Sequence, residues 1–409
     1  MRIHGLALAL VGCFPSKGDT GSLHCGAGTH QEGDACVADD DSGGNPGDDT
    51  GSANQDDSGS GGEGEGEGEG EGEGEGEGEG DTGTAPTWDT LVCDDGTGDY
   101  TSIQDAVDAA SDGDVIAICA GDWDGVDIFR QELTLVGIDG AEATVISGGT
   151  ESALNAESST LDISGLTFRG SGAGTVSGMH LKDTDATVHD VRIAYNYGNI
   201  AVQVQDGDTT WEDITIEDNE TTAYVFEAEG STRTLYMDHC VAHDNSSTYQ
   251  SFDTYGLNVE IYNCLFYDND TTSYLLYMYG SNNQVLYNSV FYNNTTAYYN
   301  LVNIAGARVS SSIFYGNTST RATFYVGTGT LSYTDFYDNT TGSGFGSTDG
   351  GGTGIGSSNP QFTDPESLDF TLNPYSPCVD AGDPTSVYND TDGSRNDMGI
   401  YGGPHGDWD

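Results

Sequence analysis

From residue 188 to residue 339 the apolar positions keep a fixed order around a recurring asparagine. The asparagines are Asn196, Asn219, Asn245, Asn269, Asn294, Asn317 and Asn339, spaced 22 to 26 residues apart. Eight residues before each stand Val188, Trp211, Met237, Ile261, Leu286, Val309 and Leu331. Five before stand Val191, Ile214, Cys240, Cys264, Ser289, Ser312 and Thr334, all small or apolar. Three before stand Ile193, Ile216, Ala242, Phe266, Phe291, Phe314 and Phe336. Seven after the five middle asparagines come Phe226, Phe252, Leu276, Leu301 and Phe324. Ile163, Leu166 and Phe168 fit an earlier, imperfect copy with Ser171 in the asparagine's place.

Apolar sites two or three apart, broken by Gly, Asn, Asp and Thr, describe short strands joined by turns rather than helices. Several such strands in about 24 residues predict one coil of a parallel β-helix. Like side chains then stack on like ones about 4.8 Å apart, and the apolar columns fill the interior. The asparagines are expected at a bend, where their side chains bond to one another and the backbone takes left-handed angles. A capping helix is expected ahead of the coils. Ser102 suits its N-cap, and Ile103, Ala106, Val107 and Ala110 lie on one helical face. The fold class is thus all-β, a solenoid of 22–26 residues per coil.

Composition divides the rest of the chain. Residues 39–81 hold 17 acidic and no basic residues, centred on nine Glu-Gly dipeptides. Such a stretch cannot bury enough apolar surface to offset its ordering entropy, so residues 39–87 read as an extended, disordered spacer. The formal charge is −58, and 48 acidic against 8 basic residues follow Asp81. That excess disfavours nucleic acid, anionic lipid and polyanionic glycans as direct partners.

Three stretches carry resemblances. The block "GDYTSIQDAVDAASDGDVIAICAGDW" resembles the N-terminal cap of right-handed, pectate-lyase-like β-helix proteins. Ser376 to Gly382 and Asp390 to Tyr401 resemble the terminal block of bacterial surface β-helix proteins of the choice-of-anchor Q type. "LVGC", ending at Cys13, resembles the bacterial lipobox, which implies a signal peptide over 1–12 and lipidation of Cys13. Phe14 rather than aspartate follows, which by resemblance to the enterobacterial sorting rule implies the outer membrane. Residues 13–38 then form a small module similar to the Cys-Gly-x-Gly-Thr units found behind lipoboxes, and residues 88–409 the β-helix domain.

Candidate chemistry is sparse. Cys25 with Cys36, and Cys93 with Cys119, are placed to form disulfides, with free thiols the alternative. Cys240 and Cys264 share an inward offset on successive coils and are expected to be inert buried thiols, with a disulfide between them the alternative. His239 and His243 flank Cys240 but point apart, which disfavours zinc. Asp390, Asp392, Asn396 and Asp397 surround a glycine turn and make a partial calcium loop, lacking the twelfth-position glutamate of an EF-hand. Tyr267, Tyr292, Tyr315 and Tyr337 each follow an inward Phe, so alternation turns them outward. That strip suits sugar rings or another protein, or is a stabilising surface ladder. No Arg or Lys pair recurs at one offset, as a polysaccharide lyase would need. Six of the seven asparagines begin Asn-x-Ser/Thr, a pattern the turn itself accounts for. The expected function is therefore a lipid-anchored, cell-surface binding or structural module for carbohydrate or another surface component. A lyase or glycoside hydrolase on the same scaffold is the alternative.

Overall fold

The computed structural model describes residues 29–32, 35–38, 87–170, 175–280, 283–304, 306–325, 327–342 and 352–408. Cys13, Cys25 and the Glu-Gly tract lie outside them, as does the suggested Cys25–Cys36 bond. In the N-terminal unit, Thr29–Glu32 and Ala35–Ala38 pair as an antiparallel hairpin with Gln31 opposite Cys36.

The C-terminal unit is a β-solenoid of about 10 coils with almost no helix. The coil around Asn269 shows the plan. A first-face strand, Asn258–Tyr262, turns at Asn263 into a second-face strand, Leu265–Tyr267. A corner at Asp268 leads to the short strand Asp270–Thr271, and a turn leads to the third-face strand Leu276–Tyr279. Each strand pairs in parallel with its counterpart one coil away, so Phe266 stands opposite Phe291 and Phe291 opposite Phe314. These rings stack with centroids 4.7 and 4.6 Å apart. All the inward columns at eight, five and three residues before the asparagines are buried, as expected. One offset is corrected. Val302, not Leu301, aligns with Leu276, because the turn Ala297–Asn300 is one residue longer.

The two left-handed corners per coil explain the scatter of Asp and Asn. Asp190, Asp213, His239, Asn263, Asn288, Ser311 and Tyr333 hold the first corner at positive φ, between 44° and 55°. Tyr195, Asp218, Asp244, Asp268, Asn293, Gly316 and Asp338 hold the second. The left-handed residue is thus the one before each repeated asparagine, not the asparagine itself. Short polar side chains and glycine carry that backbone at least cost.

The asparagines stand just past the second corner and form one buried ladder. Each Nδ2 donates to Oδ1 of the next asparagine, from Asn196→Asn219 at 2.9 Å to Asn317→Asn339 at 2.9 Å. Its second hydrogen reaches a carbonyl of the preceding coil, as Asn269 does to Ala242 at 2.8 Å. Each inner Oδ1 also accepts the backbone N–H of the preceding asparagine, Asn245 N to Asn269 Oδ1 being 3.2 Å. Four buried polar contacts per amide leave nothing unpaired inside the row. At its start Asn196 Oδ1 finds no donor among the described residues.

The ends are closed by chain rather than left as open strand edges. Helix α1, Ile103–Ala109, buries Ile103, Ala106 and Val107 over the first coil, and Ser102 caps it through Asp105 N at 3.3 Å. Gln104 donates to the Asp127 carbonyl at 3.0 Å and accepts its N–H at 2.8 Å, pairing the third face's first strand. Cys93 and Cys119 form a disulfide across the first coil, Cα atoms 5.1 Å apart. Cys240 and Cys264 are also bonded, with Cα atoms 4.6 Å apart. That corrects the expectation of free thiols, because parallel stacking at one inward offset brings the two sulfurs together. Cys378 is a buried free thiol.

Removing one rung tests the ladder. Asn269→Ala leaves buried groups on both neighbouring coils without partners and is expected to cost on the order of 3 kcal/mol. Asn339→Ala, at the half-exposed end, is expected to cost about 1 kcal/mol. Urea unfolding midpoints compare the two, and equal losses would contradict the ladder's role.

Candidate functional site

The tyrosine strip is not an open surface. Residues 352–408 fold back over the second face and place Phe362, Phe370, Cys378, Met398 and Ile400 on it. Tyr267 is only 5% exposed, while Tyr292, Tyr315 and Tyr337 are half-buried. Phe370 meets the Tyr292 ring at 5.4 Å, and Phe362 meets Tyr315 at 6.2 Å. Beside the tyrosines, Leu265, Val290 and Ile313 also point outward, and apolar columns on both tracks require a cover. The first-corner residues hook that cover down. Asn263 Nδ2 donates to the Ile400 and Gly402 carbonyls at 2.6 and 2.9 Å, and Asn288 Nδ2 to the Asp397 carbonyl at 2.9 Å.

The partial calcium loop is spent largely on this docking. Asn396 is fully buried and exchanges amide hydrogen bonds with Asn288 at 2.9 and 3.2 Å, so it turns away from the aspartates. Asp390 accepts the N–H groups of Asp397 and Gly403. Asp392 accepts from Ser394, and Asp397 accepts Asp380 N at 2.5 Å. Burial, then the neighbouring Asp390, pushes Asp397 up to about 6. Among the described residues no three His, Cys, Asp or Glu side chains group as a metal site.

A different surface gathers chemistry: the third face. Period-two alternation behind the inward residues Phe226, Phe252 and Leu276 puts Glu227, Asp253 and Tyr277 in one outward column. Glu229, Tyr255 and Tyr279 form the next. Both columns begin earlier, as Asp127, Asn155, His180 and Gln203, and as Glu157, Lys182 and Gln205. Hydrogen bonds tie successive coils: Asn155 to Asp127 at 2.9 Å, Gln203 to Glu227 at 2.6 Å and Gln205 to Glu229 at 2.7 Å. The polar half of the face therefore has fixed side chains.

The later coils carry tyrosines. Tyr255 and Tyr279 stack at 5.6 Å with planes 16° apart, and are 57% and 48% exposed. Tyr224 meets Tyr249 at 5.6 Å, and Tyr274 meets both Tyr277 and Tyr299 at 5.0 Å. Alongside runs a groove of about 670 Å³ walled by Tyr197, Thr222, Ser246, Thr248, Asp270 and Thr272. Between lie the carboxylates. Asp253 is pushed up to about 7 by burial and then by Glu227 and Glu229. Burial raises Glu227 as well, and carries Tyr224 up to about 12 with Asp253 and Glu227 adding to it. The buried Gln250 amide, its nitrogen toward Asp253, donates at 3.0 Å.

None of these residues belongs to the inward columns, the asparagine row or the Tyr267–Tyr337 strip. The signal for them was the alternation after each inward residue seven places beyond the asparagine, read one strand further. The basic side chains are largely committed: Arg169, Lys182, Arg192 and Arg233 each pair with a carboxylate on another coil.

A protein-family profile described as "Right handed beta helix region" matches residues 177–392, more than half of the chain. The chain belongs to that right-handed β-helix family. No curated protein matches it significantly. Among solved structures it is similar to a pectate lyase, Pel9A, at 12% identity over 73% of this chain and 90% of that one, with a TM-score of 0.42. It is also similar to a pectin methylesterase from carrot, at 14% identity over 71% and 99%, with a TM-score of 0.34. The fold assignment rests on the family match and the register described above.

The raised carboxyls give a pH signature. Asp253 at about 7, and Asp335 and Asp397 at about 6, lie above their ordinary 3.8. Each folded form therefore binds its proton more tightly than the unfolded chain does. Their stabilisation is full below about 3.8 and is lost as pH rises through 6 to 7. Asp253→Asn is expected to flatten the part of the fall nearest pH 7, read from urea midpoints across pH 4 to 8. An unchanged profile would contradict the assignment.

Proposed function

We propose that this protein is a carbohydrate-binding β-helix, displayed at a bacterial surface, whose third face holds the glycan. The supporting observations are the exposed tyrosine wall, led by the Tyr255–Tyr279 stack, and, nearer the second corner of the same coils, a groove lined with Ser and Thr hydroxyls. Tyrosine rings offer flat apolar platforms with a polar tip, the surface against which a sugar ring packs. The groove hydroxyls and the amide-tethered carboxylates supply donors and acceptors for sugar hydroxyls. Because the columns repeat at about 4.8 Å along the axis, the site suits a chain better than a single sugar. The large negative charge disfavours polyuronates.

A catalytic reading is second, favoured by Glu227 and Asp253 lying on adjacent coils with raised proton affinity. A carboxyl kept protonated near neutral pH is what a glycosidase acid requires.

Full-length protein incubated with a panel of insoluble glycans, with and without calcium, separates the two. Retention without new reducing ends or unsaturated products supports the binding module, and product formation supports the enzyme. Tyr255→Ala and Tyr279→Ala are each expected to weaken retention about 2- to 10-fold. Tyr292→Ala, on the covered face, is expected to leave affinity unchanged and lower stability instead. Retention of none of the glycans would sink the carbohydrate reading.

Display is proposed to depend on a lipid at Cys13, with residues 39–87 as the tether. Cys13→Ser is expected to move the protein from the membrane pellet to the soluble fraction of its host. A wild-type protein already soluble there would remove the anchor.

A further inference from the structure

The third face shows two ways of holding a positive charge, both made within the chain. In the column that begins Phe129 and Glu157, the Lys182 ammonium sits on Glu157 at 2.8 Å, one coil away. At the far end of the tyrosine wall, the Arg321 guanidinium lies over the Tyr299 ring, 4.8 Å from its centroid. Carboxylates and aromatic ring faces both attract ammonium and guanidinium ions in proteins.

Between these ends both groups are present together, and the chain places neutral partners on them. Two coils beyond Lys182, that column reaches Glu229, then Tyr255 and Tyr279. The hydrogen-bond partners of the central carboxylates are amides: Gln203 on Glu227, Gln205 on Glu229 and Gln250 on Asp253. An amide fixes a carboxylate's position without cancelling its charge. Three carboxylates on two adjacent strands beside stacked tyrosines repel one another, and a bound cation relieves that repulsion.

Building on the glycan reading, we propose that the third face takes an amine-bearing glycan, a chain of amino sugars whose amino groups are free and protonated. The ammonium groups occupy the Glu227–Glu229–Asp253 row. Sugar rings lie on Tyr255 and Tyr279, and further units of the chain extend along the face toward the Ser/Thr groove. A peptide with basic side chains would satisfy the charge, but a lysine side chain brings no hydroxyl-bearing ring to lie flat on the Tyr255–Tyr279 stack.

Isothermal titration of the full chain with glucosamine oligomers, their fully N-acetylated counterparts of equal length, and oligolysine tests this. The amine form is expected to bind at least about tenfold more tightly than the acetylated form, and to weaken as salt rises. Glu229→Gln and Asp253→Asn, both close in shape to the native residues, are expected to lower amine-form affinity about tenfold and to weaken any binding of the acetylated form much less, by no more than about twofold. Equal affinity for the two sugar forms would overturn the amine inference while the glycan reading stood. Oligolysine binding as tightly as the amino sugar would overturn it too, in favour of a basic peptide. No binding of either sugar form, with no retention of any glycan in the panel, would overturn both.

Discussion

Everything in this molecule depends on parallel stacking in register. Once one strand pairs with its counterpart a coil away, every residue on it meets the same offset of the next coil. A favourable contact is then made repeatedly, and so is an unfavourable one. Phenylalanines gain from this, stacking at 4.6 to 4.9 Å from Phe266 to Phe336. Asparagines gain too, because an amide carries both a donor and an acceptor and bonds to copies of itself. Carboxylates lose, and each acidic column shows how that loss is handled. Glu157 faces Lys182, Glu217 faces Arg192 and His243, and the row from Glu227 to Asp253 is held by glutamines.

This constraint explains what could be read from the chain alone. The inward columns were legible because a column repeats one physical demand, apolarity, at one offset, as Trp211, Met237, Ile261 and Leu286 do. The asparagine ladder was legible for the same reason, although the left-handed backbone fell one residue earlier, at Asp218, Asp244 and Asp268. The outward columns repeat no single demand. Asp127, Asn155, His180, Gln203, Glu227, Asp253 and Tyr277 share a column and no chemistry, so alternation gives their direction but no repeated residue type marks them out.

The second face shows the opposite error, a true repeat given the wrong surroundings. Tyr267, Tyr292 and Tyr315 do point away from the interior, but Leu265, Val290 and Ile313 point the same way. Two apolar tracks side by side are an unfinished core, and the C-terminal block completes it. That block comes from residues remote in sequence and meets the coils through single hooks, Asn263, Asn288 and Ser311. Contacts between a repeat and a non-repeat leave no pattern. Asn396 groups in sequence with the aspartates of the glycine turn because nothing in the chain announces its buried partner, Asn288, 108 residues earlier.

The asparagine row has a direction as well as a length. From Asn196 to Asn317 each Nδ2 donates forward to the Oδ1 of the next asparagine, so the amide dipoles along the row lie head to tail. Aligned dipoles polarise one another and add, as peptide units do along a helix axis. The solenoid therefore carries an internal electrical polarity separate from its surface charge. Its negative pole lies at the buried Asn196 oxygen, which has no donor among the described residues. A coil grafted ahead of that point would join the row most favourably if it brought an asparagine, whose amide would meet an acceptor already oriented to receive it.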